Sequence, residues 1–588
     1  MVDMTRVRDV LLDIPYVSNI IIASNSSYRN KGFSNGVKCD LLIKDKRVKI
    51  FIGVSENWMR DLFTIYLCEY DNLPFMPHIE NDGKICLFDL EGVLIDYSFD
   101  GLFKQCVQRA KTILEEGMYE DNTNEFAREF SSYWSYQKPK RHMKFALPQN
   151  HKSQLVKYTD HSLLMRQKKK EKYSSLIGRK QNEYLFAAAE QKYFSLYNIN
   201  DTQKKALFIH TESKKYILPP DYRKPLQVDF INNILKELSF EEIKSIQTKI
   251  GGINIIIFEI IEPAGENVCI GVCLDGYRIE LHECGLSVTK NSKDAKIIAI
   301  DISRIDEEYI SQRTAYEINE KVPKILLIGC GSIGGYLCAE LIKAGFKNID
   351  LVDDDIFKEE NIYRHYLNIS SIGVYKTEAL RKHFTKFYPM VNIKTFDSEA
   401  EDIIEDGSVE LEEYDLIISA TGNHNFNRWL NNWVHINEIN VPCIYLWNEP
   451  LDVGCHLAII QNIYQGCYDC FFKRNKETNE LYDATAFSQP GQVITKSNRG
   501  CAGSFIPYAS NVSIRIVSVC MEWLELIMAG MCNDNILVSV KGTAHNFLKE
   551  GYKCSKVFYE QKEKEKVVYG KDFLFDLCNV CGEKVYGD

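Results

Sequence analysis

The feature that most constrains this chain is a short apolar run, Ile325 to Ile328 after Lys324, that opens directly into Gly329-Cys330-Gly331-Ser332-Ile333-Gly334-Gly335. Helical periodicity follows from Tyr336 to Lys343. The pattern is strand, glycine-rich turn, helix. A second apolar run, Ile349 to Val352, ends in Asp353, 19 residues beyond Gly334. Together they specify a βαβ nucleotide-binding unit, in which glycines permit close backbone approach and the helix N-terminus offers N–H groups to phosphate. Asp353 is placed to take ribose hydroxyls. A tight turn packed for its own sake is the alternative, and the fingerprint alone leaves NAD and ATP open.

At 588 residues the chain is long enough for three or four domains. Its 45% hydrophobic and 26% charged residues are ordinary for a globular protein and exclude disordered and fibrous classes. No apolar run approaches the roughly 18 residues of a membrane span, and Met1 to Asp13 mixes charges where a signal peptide has its apolar core. A cytoplasmic protein is expected, with no membrane association. A net charge of -10 argues against direct nucleic-acid binding. Nineteen cysteines in such a chain are candidates for metal ligation or thiol chemistry rather than a disulfide framework.

Upstream, Lys38 to Val54 reads as a hairpin turning at Lys44-Asp45-Lys46, and Leu102 to Leu114 has helical spacing. A small α+β domain over residues 1–145 is expected. The basic stretches 137–141 and 168–172 read as a solvated linker and a helix face. Residues 146–312 contain strands such as Ile253 to Ile261 but no constellation with evident chemistry. Residues 313–588 form the third region. The expected fold class is multidomain α/β and α+β.

Beyond Asp353 come Asp355, Asn361, Arg364, Gly373 and Lys376. Hydride transfer has no use for a fixed Asn, Arg and Lys here, whereas nucleotidyl transfer needs cations around developing phosphate charge. This favours ATP. The glycine turn, D-x-D, N-x-x-R and G-x-x-K in this order resemble the adenylation domain of ubiquitin-activating enzymes and their bacterial ThiF/MoeB-type sulfur-carrier relatives. The resemblance implies that Gly329, Gly331 and Gly334 cradle the nucleotide, that Asp353 binds ribose, and that Asn361, Arg364 and Lys376 contact phosphates. It also implies Mg²⁺, a homodimer, and Arg313 as an arginine donated across that dimer. In one departure, the Asp that commonly binds metal after a later strand is replaced by Gly422, leaving Asp355 or another acid to hold Mg²⁺.

Cys467-Tyr-Asp-Cys470 and Cys578-Asn-Val-Cys581 are two CxxC pairs, and four thiolates suit a structural tetrahedral Zn²⁺. Buried or redox cysteines are the alternative. Cys501, between Gly500 and Gly503 and beside Arg499, precedes an amphipathic stretch through Val512, Ile516, Val519, Trp523 and Leu526 that stops at Gly530. An accessible loop with positive potential favours thiolate. The family's thioester-forming cysteine lies in a comparable loop, which makes Cys501 the expected nucleophile. Cys520, inside the helix, reads as core.

Met76-Pro77-His78 and Gly83-Lys84-Ile85-Cys86-Leu87 resemble the active-site segment of ubiquitin-conjugating enzymes, where H-P-N precedes G-x-I-C-L. Cys86 takes the place of the conjugating cysteine. His78 replaces the family's Asn, and its imidazole N–H would donate to an oxyanion or assist proton transfer.

Conjugating domain first and activating domain last resembles the bacterial fused conjugation enzymes encoded beside CD-NTases (cGAS-like nucleotidyltransferases) in anti-phage CBASS operons. There the middle is an α/β linker domain related to an inactive adenylation domain. The implied reaction adenylates a partner's C-terminal carboxylate, passes the acyl group to Cys501 and then Cys86, and ligates it to a target lysine. The implied partner is the CD-NTase. A sulfur-carrier adenylyltransferase and a noncatalytic nucleotide-binding scaffold are the alternatives.

Overall fold

The computed structural model describes residues 3–582, apart from 24–32, 34, 56, 59–61, 89–93, 95, 97, 121, 161–183, 198, 200–202, 247–249, 262, 264–266, 283–284, 312–322, 389, 463–464, 495, 498–503, 506 and 577. Cys501, Arg313 and the basic stretch 168–172 therefore lie outside the described residues. The chain divides into two compact units, 1–310 and 311–588.

The first unit opens with α1 (Met4–Leu12) and an antiparallel meander of β1 (Val17–Ala23), β2 (Asn35–Ile43), β3 (Lys46–Val54) and β4 (Thr64–Leu67). The β2–β3 hairpin turns at Lys44 and Asp45, with Ile43 paired to Lys46. Alternating residues of the meander pack against α1 and α2 (Phe99–Tyr119), whose Leu102, Phe103, Cys106, Val107 and Ala110 form one buried stripe. Ser98 starts α2 by accepting from the Gly101 N–H.

Two short helices, α3 (Thr123–Arg128) and α4 (Phe130–Tyr136), lead into a closed barrel. Its strands are β5 (Lys140–Ala146), β6 (Gln154–Asp160), β7 (Tyr184–Ala188), β8 (Lys204–Glu212), β9 (Ile255–Ile261), β10 (Asn267–Asp275) and β13 (Lys296–Arg304), in the order β10-β13-β5-β7-β6-β8-β9. The hairpin β11 (Tyr277–His282) and β12 (Gly285–Lys290) stands outside it. One set of alternating residues, drawn from every strand, forms a single cluster that fills the barrel, including Phe145, Val156, Leu185, Phe208, Ile257, Cys273 and Ile300. The opposite face of β8, β9, β10 and β13 is covered by α4 and α5 (Val228–Leu235).

This architecture differs from the reading of residues 137–141 as a solvated linker. Gln137 is buried, and β5 begins at Lys140 and pairs with β13 and β7. The reason is Trp134, fully buried with its indole N–H donating to the Ile300 carbonyl at 2.9 Å, which locks α4 to the barrel wall. The barrel mixes parallel and antiparallel pairs and is not a doubly wound parallel sheet of the adenylation type.

The second unit is built on an eight-stranded sheet. Its strands are β14 (Lys324–Ile328), β15 (Asn348–Val352), β16 (Asn392–Phe396), β17 (Leu416–Ser419), β18 (Cys443–Asn448), β19 (Gly454–Ile460), β24 (Ile536–Lys541) and β25 (Glu565–Tyr569), in the order β16-β15-β14-β17-β18-β19-β24-β25. Two short hairpins, β20 (Phe472–Arg474) with β21 (Leu481–Asp483) and β22 (Lys496–Ser497) with β23 (Ser504–Phe505), lie outside it. Pairing is parallel from β16 to β18 and antiparallel from β18 to β25. The strand order reverses direction at β14, where α/β sheets open a crevice at their carboxyl edge. One face packs on α6 (Ser332–Lys343), α7 (Lys376–Phe387) and α9 (Ser510–Met528), with Cys520 fully buried as expected. The other packs on α8 (His424–Ile436). No helix among the described residues is long and apolar enough to cross a membrane.

Trp134→Ala should destabilise the first unit by about 3–5 kcal/mol, the cost of emptying a fully buried aromatic site. The check is a lower urea midpoint for that unit with the second unit's transition unmoved.

Candidate functional sites

The glycine turn is shaped by contacts that admit no side chain. Gly329 sits at φ +90°, in the left-handed region, with its N–H donating to the Val352 carbonyl at 2.8 Å. A Cβ on Gly334 would lie 1.9 Å from the Gly329 carbonyl oxygen, so the start of α6 presses directly on the turn. A Cβ on Gly331, by contrast, would meet nothing within 4 Å among the described residues. Its open side faces a cavity of about 500 Å³.

That cavity gathers the residues expected of a nucleotide site. Gly329, Gly331, Asp353, Asp355, Asn361, Arg364 and Lys376 all line it. Asp353 is nearly buried, and its Oδ2 accepts from the Cys330 N–H at 2.6 Å while Oδ1 accepts from the Asp355 N–H at 2.9 Å. Lys376 Nζ lies 2.5 Å from Asp355 Oδ2 and 3.6 Å from Asp353 Oδ1. Burial pushes the Asp353 carboxyl up, opposed by Lys376 and the two backbone N–H groups. Burial alone would lower the Lys376 ammonium, but Asp353 and Asp355 outweigh it and hold it above the usual lysine value. Lys376 is thus a fixed cation at the cavity wall.

Asn361 Oδ1 accepts from the Lys358 N–H at 2.9 Å, closing the turn that presents Arg364. The Arg364 guanidinium lies over the Tyr508 ring, 5.5 Å from its centroid. His365 is buried, and its Nε2 donates to the Cys330 carbonyl at 2.7 Å while Nδ1 accepts from the Leu367 N–H at 3.0 Å. Burial pushes it down to about 4, so it is a neutral brace under the turn. Tyr508, Ser332, Glu399 and Glu401 also line the cavity and were not singled out from sequence. They come from three separate stretches, with no spacing rule to link them. At Gly422, with φ +64°, an added Cβ would meet nothing within 4 Å among the described residues. A larger hollow of about 840 Å³, against Phe472, Lys473 and Cys578, shares no lining residue with this cavity.

The four cysteines of the CxxC pairs are buried together. Sγ–Sγ distances are 4.0 Å for Cys467–Cys470, 3.6 Å for Cys467–Cys578 and 3.4 Å for Cys470–Cys581. A tetrahedral Zn²⁺ with bonds near 2.3 Å requires sulfurs about 3.8 Å apart, so the donor set fits the ion. The Cys467 N–H donates to Cys470 Sγ at 3.4 Å, a contact that favours thiolate.

In the first unit, Cys86 is exposed at the end of a tight hairpin. Its N–H donates to the His78 carbonyl at 2.8 Å, Glu80 N–H donates to the Lys84 carbonyl at 2.8 Å, and Ile85 N–H donates to the Ile65 carbonyl of β4 at 2.8 Å. The segment is therefore clamped to the sheet with the thiol outside. His78 adopts φ +62°, a left-handed conformation uncommon outside glycine but one that histidine, like asparagine and aspartate, takes more readily than other residues. Its ring turns to the helices: Nδ1 is 2.9 Å from Glu129 Oε1 and Nε2 is 3.5 Å from Glu125 Oε2. The hydrogen bond that the ring donates to Glu129 raises the imidazole above its ordinary value, against burial. Burial alone would raise Glu129, but hydrogen bonds from His78 and from Tyr133 Oη at 2.6 Å hold it below the usual range. The geometry thus engages both ring nitrogens with carboxylates rather than aiming one at Cys86.

Both units match known families. Residues 309–566 match the ThiF family, and residues 27–143 match prokaryotic E2 family B. The chain therefore joins a region that matches prokaryotic E2 family B to a region that matches the ThiF family. It is similar to the ATP-dependent ubiquitin transferase-like protein Cap2 of Pseudomonas aeruginosa, 28% identical over 237 residues that cover 40% of this chain and 41% of that protein. Cap2 of Escherichia coli is 25% identical over 235 residues, 39% of this chain and 38% of that protein. The adenylyltransferase and sulfurtransferase UBA4 of Debaryomyces hansenii is 28% identical over 199 residues, 32% and 39%. The matched stretch spans about two fifths of the length of these relatives. Among solved structures, E. coli MccB with ATP aligns over 47% of this chain and 70% of its own at 18% identity and a TM-score of 0.32.

Two outcomes are expected. The paired variant Cys470→Ser/Cys578→Ser should hold one zinc fewer per chain than the unsubstituted protein by mass-spectrometric metal analysis, because two thiolates do not complete the shell. In an NMR titration His78 should show a midpoint above 6.5, falling toward or below that value in Glu129→Gln. The sign follows from linkage: the His78 contribution to stability is full below the ordinary histidine pKa and is lost as pH rises through its raised value. The Glu129 contribution is lost at the other end, as pH falls through its lowered value.

Proposed function

We propose that this chain is an ATP-dependent protein-conjugating enzyme that activates the C-terminal carboxylate of a partner protein and transfers it to a lysine. The observation that carries the reading is the 500 Å³ cavity, where an open glycine turn, a braced Asp353, Lys376, Asn361 and Arg364 converge on one wall system. The E2-type hairpin with an exposed Cys86 on the same chain supports conjugation over simple sulfur-carrier adenylation.

In this reading the turn's backbone and the start of α6 receive the nucleotide phosphates, and Asp353 takes ribose hydroxyls with the lone pairs its two backbone contacts leave. The partner's carboxylate oxygen attacks the α-phosphorus of ATP, forming an acyl-adenylate and releasing pyrophosphate. Arg364 and Lys376 stabilise the charge that grows on phosphate oxygens as that bond breaks. Mg²⁺ suits the hard carboxylate donors of this wall, Asp355 with Glu399 and Glu401, in place of the residue missing at Gly422. It would supply further neutralisation of phosphate.

The Cys501 thiolate then displaces AMP to give a thioester, the acyl group exchanges onto Cys86, and a lysine amine takes it to form an amide. Each thioester conserves the activation. His78 acts here as a positioning residue that holds the hairpin bearing Cys86 against Glu129. The partner is a CD-NTase presenting its C-terminal tail, the role belongs to anti-phage CBASS defence, and the adenylation domain works as a homodimer, with Arg313 donated across it. The protein works in the cytoplasm.

Arg364→Ala should lower partner-dependent ATP–pyrophosphate exchange by about 10²–10³-fold, the usual cost of removing one group that stabilises transition-state charge. Exchange at the unsubstituted rate would place the phosphates elsewhere.

A further inference from the structure

The barrel of residues 140–304 has a polar end that the conjugation scheme does not use. Inward-facing positions of its strands are apolar along most of their length, but at one mouth they change character. On β8 the inward series Ala206 and Phe208 ends in His210; on β9 the series Ile255 and Ile257 ends in Glu259. His210 and Glu259 are register partners across parallel strands. Glu259 is fully buried, which for an isolated carboxylate is prohibitively unfavourable without cationic or metal partners.

Three atoms converge there. Glu259 Oε2 is 2.8 Å from His210 Nδ1 and 3.2 Å from His151 Nδ1, and the three ligand atoms all lie within 4.8 Å of one another. Ligands bound at about 2.0–2.2 Å sit about 2.8–3.1 Å apart at right angles and about 3.3–3.6 Å apart in a tetrahedron, a range that spans both contacts. The surrounding groups are arranged as outer supports. Asn267 Nδ2 donates to Glu259 Oε1 at 2.7 Å, fixing the carboxylate, and His151 Nε2 faces Glu308 Oε2 at 3.1 Å, which orients that ring with Nδ1 inward. Ser153 Oγ accepts from the His210 N–H at 3.0 Å and fixes its backbone.

Charge points the same way. Arg304, nearly buried at this mouth, is neutralised by Asp306 at 2.7 Å, with Glu308 at 3.6 Å. Three carboxylates against one guanidinium leave two negative charges for the mouth to balance when both imidazoles are neutral. We propose that the barrel mouth is a divalent transition-metal site of the zinc class, with His151 Nδ1, His210 Nδ1 and Glu259 as ligands and a remaining position open toward solvent on the partly exposed His151 side. Two imidazoles and one carboxylate form a borderline donor set that suits Zn²⁺ over Mg²⁺ or Ca²⁺. The site would pin the loop carrying His151 to β8 and β9, and through Glu308 to the segment that leaves the first unit.

The full-length protein is dialysed to equilibrium against Zn²⁺ and its zinc counted by mass spectrometry. It should hold one zinc more per chain than Glu259→Gln or His151→Ala, whatever the cysteine site contributes to both. Asn267→Ala should retain the site with about 10–100-fold weaker affinity, the usual effect of removing an outer support. Because a ligand variant can fail to fold, the unsubstituted chain is also labelled with ¹⁵N-histidine. Zn²⁺ alone should shift the Nδ1 resonances of His151 and His210 together. Equal zinc counts in the unsubstituted chain and the folded ligand variants, or histidine resonances that ignore Zn²⁺, would mean that protonated imidazoles balance Glu259 and would overturn the proposal.

Discussion

Much of the second unit rests on how the Asp353 carboxylate is held. It is nearly removed from solvent at the end of β15, and it is kept there by the Cys330 and Asp355 N–H groups and by the Lys376 ammonium 3.6 Å away. Those contacts join the glycine turn after β14, the tip of β15 and the first turn of α7. Removing the charge would release the turn, the tip of β15 and the lysine together. A buried ion pair adds little net stability, because desolvation offsets the attraction. Its value here is positional: three elements that meet at a strand-order reversal are given one geometry.

The turn itself depends on the absence of side chains at two places for opposite reasons. Gly334 is required because the Gly329 carbonyl already occupies its Cβ space, whereas a Cβ on Gly331 would meet nothing among the described residues and would face the cavity. The first glycine contact packs the protein and the second leaves room for a ligand. Cys86 follows a comparable logic in the first unit, where backbone hydrogen bonds to β4 and to His78 hold the hairpin while Cys86 stays exposed.

The residues that line the 500 Å³ cavity were legible in the sequence because a βαβ unit compresses them into one contiguous stretch, Gly329 to Lys376, with fixed spacing between glycines, acid and cations. The cysteine cluster was legible for the same reason, as each CxxC pair forms a local knuckle even though 111 positions separate partners across it. The barrel was not legible. Its strands pair across long separations, and His151, His210 and Glu259 meet only because β8 and β9 run parallel and in register. The burial of Gln137 and Trp134 was equally hidden, since a Lys- and Arg-containing stretch reads as solvated until the carbonyl of Ile300 comes to meet the indole. His78 was found as a motif position, but the direction of its ring depends on Glu125 and Glu129 from helices some fifty positions away.

An ordered relay between two cysteines of one chain is the centre of the proposed chemistry, and trapping the acyl group tests it most directly. Cys86→Ala protein incubated with ATP and a CD-NTase partner should accumulate a reductant-sensitive adduct located by peptide mass spectrometry on Cys501. Cys501→Ala under the same conditions should continue to form adenylate and yet carry no thioester on either cysteine. A Cys501→Ala protein that still charges Cys86 would contradict the relay.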